Sequence, residues 1–169
     1  MKGHIIRRVG LLALCLGSGC NNSGSDTAVY VTESGDCAWP NGQVSNATVL
    51  TRDASYEAPL SPEWGIVIDN DADYQLFKGR LGQLLDPVDF ATQVVLASWV
   101  YSECTCGIEL REWEALNVDG RSQLSATFSD PTGGCDDCCD EEGGALIAIA
   151  MPKGNGPASV CRVVENGCL

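Results

Sequence analysis

Apolar residues along this chain fall into short runs punctuated by Gly, Pro, Asp and Asn, with only one stretch at helical spacing. The strongest run is Gln93 to Tyr101, apolar on both faces apart from Ser98. A strand with no polar face has no side to turn to water, so it is predicted to lie centrally in a sheet. Ala145 to Met151 has the same character. Trp64 to Ile68 is a shorter apolar strand ended by Asp69-Asn70. Gln43 to Thr51 carries β-branched residues and is read as a first strand. Cys106 to Val118 and Arg121 to Ser129 flank Asp119-Gly120, two residues that tolerate positive φ and so predict a type I′ hairpin. Pro152 to Pro157 is read as the turn of a second hairpin that returns Ala158 to Glu165 beside 145–151.

Asp71 to Leu81 breaks the alternation. Tyr74, Leu76 with Phe77, and Leu81 recur at helical spacing, Asp69 to Asp71 are able to cap the helix, and Gly82 follows as a stop. Asp86-Pro87 reads as a turn and Val88-Asp89-Phe90 as a helical turn at most. The predicted fold is therefore mainly β: a small β-sandwich or partly open barrel with one short helix.

The first residues change the picture of where this domain works. Lys2, Arg7 and Arg8 precede an apolar run, Val9 to Leu16, of about 8 residues, too short to span a bilayer. Gly17-Ser18-Gly19 then places small side chains directly before Cys20. That junction is similar to the lipobox of bacterial lipoproteins, although Gly17 stands where a branched apolar residue is usual. The reading is a signal peptide over 1–19, lipid attachment at Cys20, a small polar tether over 20–36 that includes Val29-Tyr30-Val31, and one domain over 37–169. No later segment approaches a membrane-spanning length.

Charge narrows the function classes. Residues 1–19 hold three of the ten Lys and Arg and none of the 23 acids, so their removal moves the formal charge from −13 to −16. Such a field repels nucleic acid and anionic head groups, which excludes nucleic-acid partners and leaves membrane contact to the acyl anchor alone. His4 is the only histidine and leaves with the signal, removing His-dependent nucleophilic catalysis and His metal ligation. No cofactor is implied.

Eight cysteines remain: Cys37, Cys104, Cys106, Cys135, Cys138, Cys139, Cys161 and Cys168. An even number in an exported domain reads as a disulfide framework. Cys135-Asp136-Asp137-Cys138-Cys139 also has the Cys-x-x-Cys spacing of redox and zinc sites. Five acids over residues 136–142 oppose a reactive thiolate, because neighbouring negative charge raises a thiol pKa. Cys104 and Cys106 are nearly adjacent, as are Cys138 and Cys139, so bonds within either pair are strained. The open end of the 119–120 hairpin places the 102–106 and 130–144 loops together. Cys104 and Cys106 are therefore expected to bond to two of Cys135, Cys138 and Cys139. The second hairpin, 145–151 with 158–165, is expected to return Cys168 to the same end to take the third, which leaves Cys37 expected to pair with Cys161.

Asp69-Asn70-Asp71-Ala72-Asp73 begins like a calcium loop, but Tyr74 stands where Gly is needed and Arg80 where a bidentate Glu is needed, so helix capping is the better account. Glu112 and Glu114 sit two apart on one strand and read as a solvated face rather than a carboxylate pair across a cleft.

Residues 66–153 resemble the PrcB C-terminal domain family of bacterial envelope proteins. The matching features are the Ile66 to Leu81 strand and helix, the Val88-Asp89-Phe90 turn feeding Gln93 to Tyr101, the Cys106-Gly107-Ile108-Glu109-Leu110 entry to a hairpin strand, and the closing Met151-Pro152-Lys153. Where that family carries a Thr-Gly-Gly-Tyr-like loop, this chain keeps only Gly107. The resemblance implies a binding or assembly role beside a protease complex and no catalysis. The expectation is a non-catalytic, lipid-anchored protein of the bacterial cell envelope, offering a disulfide-braced β-domain to an envelope or secreted protein. A thiol-disulfide oxidoreductase and a divalent-metal-binding module are the alternatives.

Overall fold

Two strands organise the molecule, β5 (Gln93–Thr105) and β8 (Glu141–Pro152), paired antiparallel from Gln93↔Pro152 to Thr105↔Glu141. The computed structural model describes residues 30–32, 42–53, 65–105, 107–130 and 141–166. Successive side chains of a strand point to opposite faces. Along β8, Ala145, Ile147, Ile149 and Met151 face one apolar cluster, and Leu146, Ala148 and Ala150 face another. Along β5, Val94, Leu96 and Val100 join the first cluster, and Val95, Ala97 and Trp99 the second. Burial on both sides is why these strands lack a polar face.

The first cluster lies between two sheets. One has the order β3-β8-β5-β4, with β3 (Thr48–Asp53) and β4 (Gly65–Ile68) at its edges. The other has the order β1-β9-β7-β6-β2, built from β1 (Tyr30–Thr32), β9 (Ser159–Asn166), β7 (Arg121–Asp130), β6 (Glu109–Val118) and β2 (Gln43–Val44). Leu124, Ala126, Phe128 and Val160 come from that sheet to meet β5 and β8. The fold is mainly β, two packed sheets rather than a closed barrel. Two arginines bridge the sheets: Arg52 Nη2 donates to the Leu110 carbonyl at 3.2 Å, and Arg162 Nη1 to the Trp99 carbonyl at 3.2 Å.

The second cluster is roofed by α1 (Asp71–Leu81) and the segment after it. Asn70 is the N-cap, its side-chain oxygen accepting from the Asp73 N–H at 3.0 Å. Gly82 closes the helix at φ +64, its N–H bonded to the Lys78 carbonyl. Tyr74 and Phe77 are buried, whereas Leu76 is turned outward, since it lies off the 74–77–81 stripe.

The Tyr74 hydroxyl donates to the Asp86 carbonyl at 2.7 Å, and its ring meets Phe90 edge-on. Burial first, and the Asp86 carboxylate second, push this phenol above its ordinary pKa. An acid whose pKa is raised by folding contributes stability that is intact below its unfolded value, near 10, and is lost as pH rises beyond it. Tyr74→Phe should therefore lower stability by about 1 kcal/mol at neutral pH. The same variant should flatten the loss of stability above pH 10, measured by denaturant titration at several pH values.

Three sequence expectations are corrected. Gln43 to Thr51 is not one strand: β2 pairs with β6, and β3 pairs with β8 in the other sheet. The chain changes sheet over 45–47, where the Ser45 N–H still reaches the Ala115 carbonyl. Tyr30–Thr32, read as tether, forms a strand parallel to β9. The second hairpin does not form. Both edges of β8 are taken by β3 and β5, so β9 crosses to the other sheet and pairs in parallel with β7, from Gln123↔Ser159 to Asp130↔Asn166.

Candidate functional site

The sandwich has two chemically distinct ends. The first is a turn end. Asp119 and Gly120 have φ of +51 and +77, the type I′ geometry expected of them. The Asn117 side chain accepts from the Gly120 N–H at 2.9 Å. The 152–157 loop docks on this turn as it crosses between sheets. The Asn155 N–H donates to the Gly120 carbonyl at 2.6 Å. The buried Ser122 hydroxyl donates to the Pro152 carbonyl and accepts from the Gly154 N–H, both at 2.8 Å. A Cβ at Gly154 would overlap the Gly120 carbonyl oxygen, so glycine is required there by close backbone approach.

Lys153 joins this end to the helix layer. Its Nζ donates to the Phe90 carbonyl at 2.7 Å and the Asp69 carbonyl at 3.3 Å, while its N–H bonds the Thr92 carbonyl. Asp89 closes the adjoining turn by accepting from the Ala91 N–H and the Thr92 hydroxyl. The Val88-Asp89-Phe90 and Met151-Pro152-Lys153 segments thus touch in space. Beside them lies an open, polar groove of about 390 Å³, lined by Gln43, Val44, Ser45, Asn46, Asn117 and Pro152. Sequence reasoning misses the Lys153–Ser122–Gly154 junction. The glycine- and proline-rich loop signals a turn but not what it rests on.

The Asp69 to Asp73 carboxylates are engaged locally: Asn70 Nδ2 donates to Asp69 Oδ1 at 3.1 Å and Asp73 Oδ2 at 2.8 Å. They serve the helix start, as capping predicts. Among the described residues, no group of three His, Cys, Asp or Glu converges as a metal cage.

The second is the open end of the 119–120 hairpin, where Glu109 pairs with Ser129. Glu112 and Glu114 flank the half-buried Trp113 and are exposed, a solvated strand face as expected. Arg111 meets Glu109 at 3.1 Å with both side chains largely in water, a pair worth little to stability. Three strand ends collect here. β5 ends at Thr105 opposite the start of β8 at Glu141, and β9 ends at Asn166 beside Asp130. Cys104 lies in the last residues of β5. Cys161 is buried in β9, in register with Thr32 and Ser125. Cys20, Cys37, Cys106, Cys135, Cys138, Cys139 and Cys168 lie outside the described residues.

Among the described residues, no helix is long and apolar enough to cross a membrane. Comparison with protein-family models, curated proteins and solved structures finds no match.

Proposed function

We propose that this chain is a non-catalytic lipoprotein of the bacterial cell envelope, tethered through Cys20 and presenting a disulfide-braced β-sandwich for protein–protein contact. The observation that carries the proposal is the convergence of strand ends. The β5–β8 register sets Thr105 opposite Glu141, so Cys104 and Cys106 in sequence flank one side and Cys138 and Cys139 immediately precede the other. β9 runs out at Asn166, two residues before Cys168, beside Asp130. Backbone pairing thus supports a bridge cluster at the open end, Cys104 and Cys106 bonding to two of Cys135, Cys138 and Cys139 with Cys168 taking the third. Cys37 follows β1, which is paired to the strand carrying Cys161, and these two are proposed as partners.

The assembly role rests on the resemblance of 66–153 to the PrcB C-terminal domain family. Its two short segments meet through Lys153, which gives them a common structural purpose.

The anchor is tested at its attachment atom. Cys20→Ala should abolish incorporation of labelled fatty acid and leave an unprocessed precursor on a gel. Unchanged acyl labelling would remove the lipoprotein reading.

A further inference from the structure

The pairing of β1 fixes where the chain leaves the sandwich toward its anchor. Tyr30 is in register with Ser159, which is in register with Gln123, two residues from Arg121 at the hairpin turn. β1 runs parallel to β7 and β9, away from the turn end, so Tyr30, the first described residue, lies at that end. Nine residues separate Cys20 from Tyr30. An unconstrained chain of that length has a root-mean-square span of about 15–18 Å, shorter than the domain is long. From Gln123 to Asp130, β7 covers a further seven residue steps, roughly 23 Å.

We infer that the turn end of the sandwich, formed by Asp119-Gly120, the 152–157 loop and the start of α1, is the surface that faces the bilayer, and that the open end is held away from it. This rests on the Cys20 anchor proposed above. The bilayer-facing end bears Asp69, Asp71, Asp73, Asp89 and Asp119 against Arg121 and Lys153. Its excess of carboxylates is repelled by anionic head groups within a Debye length, about 10 Å at 0.1 M salt, so the domain approaches neutral lipid more closely than anionic lipid.

The test uses the full acylated chain in phosphatidylcholine vesicles carrying a head-group energy acceptor, with the acyl chains verified by intact mass. A fluorescent non-natural amino acid replaces Pro157 at the turn end or Glu109 at the open end, both exposed positions. Transfer from position 157 should exceed that from 109 by about twofold or more, given the roughly 20 Å between the ends. Inserting about 15 Gly/Ser residues into 21–29 should collapse the difference, because the root-mean-square span of the tether then rises to about 24–29 Å, past the length of the domain. Anionic vesicles at low salt should reduce transfer from 157, and added salt should restore it. Equal or reversed transfer in a chain verified as acylated overturns the inference while leaving the anchor intact. An unacylated Cys20 overturns the anchor itself, and the mass measurement separates the two.

Discussion

Reduction should unfold this domain or leave it a loosened, non-cooperative β-structure. Each bridge closing a loop contributes on the order of 2–4 kcal/mol. Four such bridges together, about 8–16 kcal/mol, are comparable to the roughly 5–15 kcal/mol by which a domain is typically stable. The thermal midpoint followed by near-UV circular dichroism should fall by tens of degrees when reductant is added. Peptide mapping without reduction should recover Cys104 or Cys106 joined to peptides from 135–139. A midpoint indifferent to reductant would refute the bracing. Cys104 or Cys106 linked to Cys37 would refute the strand-end argument, since Cys37 is proposed to lie near β9 instead. A pair that reduces readily and reoxidises with substrate turnover would favour the oxidoreductase reading.

The second large effect is expected at Phe128, wholly buried on β7 in the cluster between the sheets. Phe128→Ala removes a ring from the layer that holds the two sheets together. It should cost about 3–5 kcal/mol through lost burial and the cavity left behind. Leu84 is the matched control. It is fully exposed, and Leu84→Ala should stay within about 0.5 kcal/mol of the parent. Both are read from the denaturant midpoint at constant slope. A Phe128→Ala chain as stable as Leu84→Ala would mean that the sheets do not pack on this face.

What the sequence determines by itself is what nearest neighbours decide. α1 begins and ends where its capping residues predict, because Asn70 and Gly82 act within one turn of their own position. Asp119-Gly120 produces a type I′ turn because positive φ is a local tolerance of those two residues. The apolar runs of β5, interrupted only by the buried Ser98, and of β8 identify central strands, because a strand covered on both faces leaves no polar pattern behind. Only the tertiary structure decides which strands are neighbours. Alternation states that a strand has an inside, not which edge accepts it. So Ala158 to Glu165 reads as the partner of the strand before it, although β3 and β5 fill both of that strand's edges. Tyr30–Thr32 reads as tether because three residues carry too little pattern to signal a strand, and only the edge of β9 makes one of them. The same limit applies to the cysteines. Their number points to bridges, but the grouping proposed for them rests on the β5–β8 and β7–β9 registers, long-range pairings that spacing along the chain does not encode.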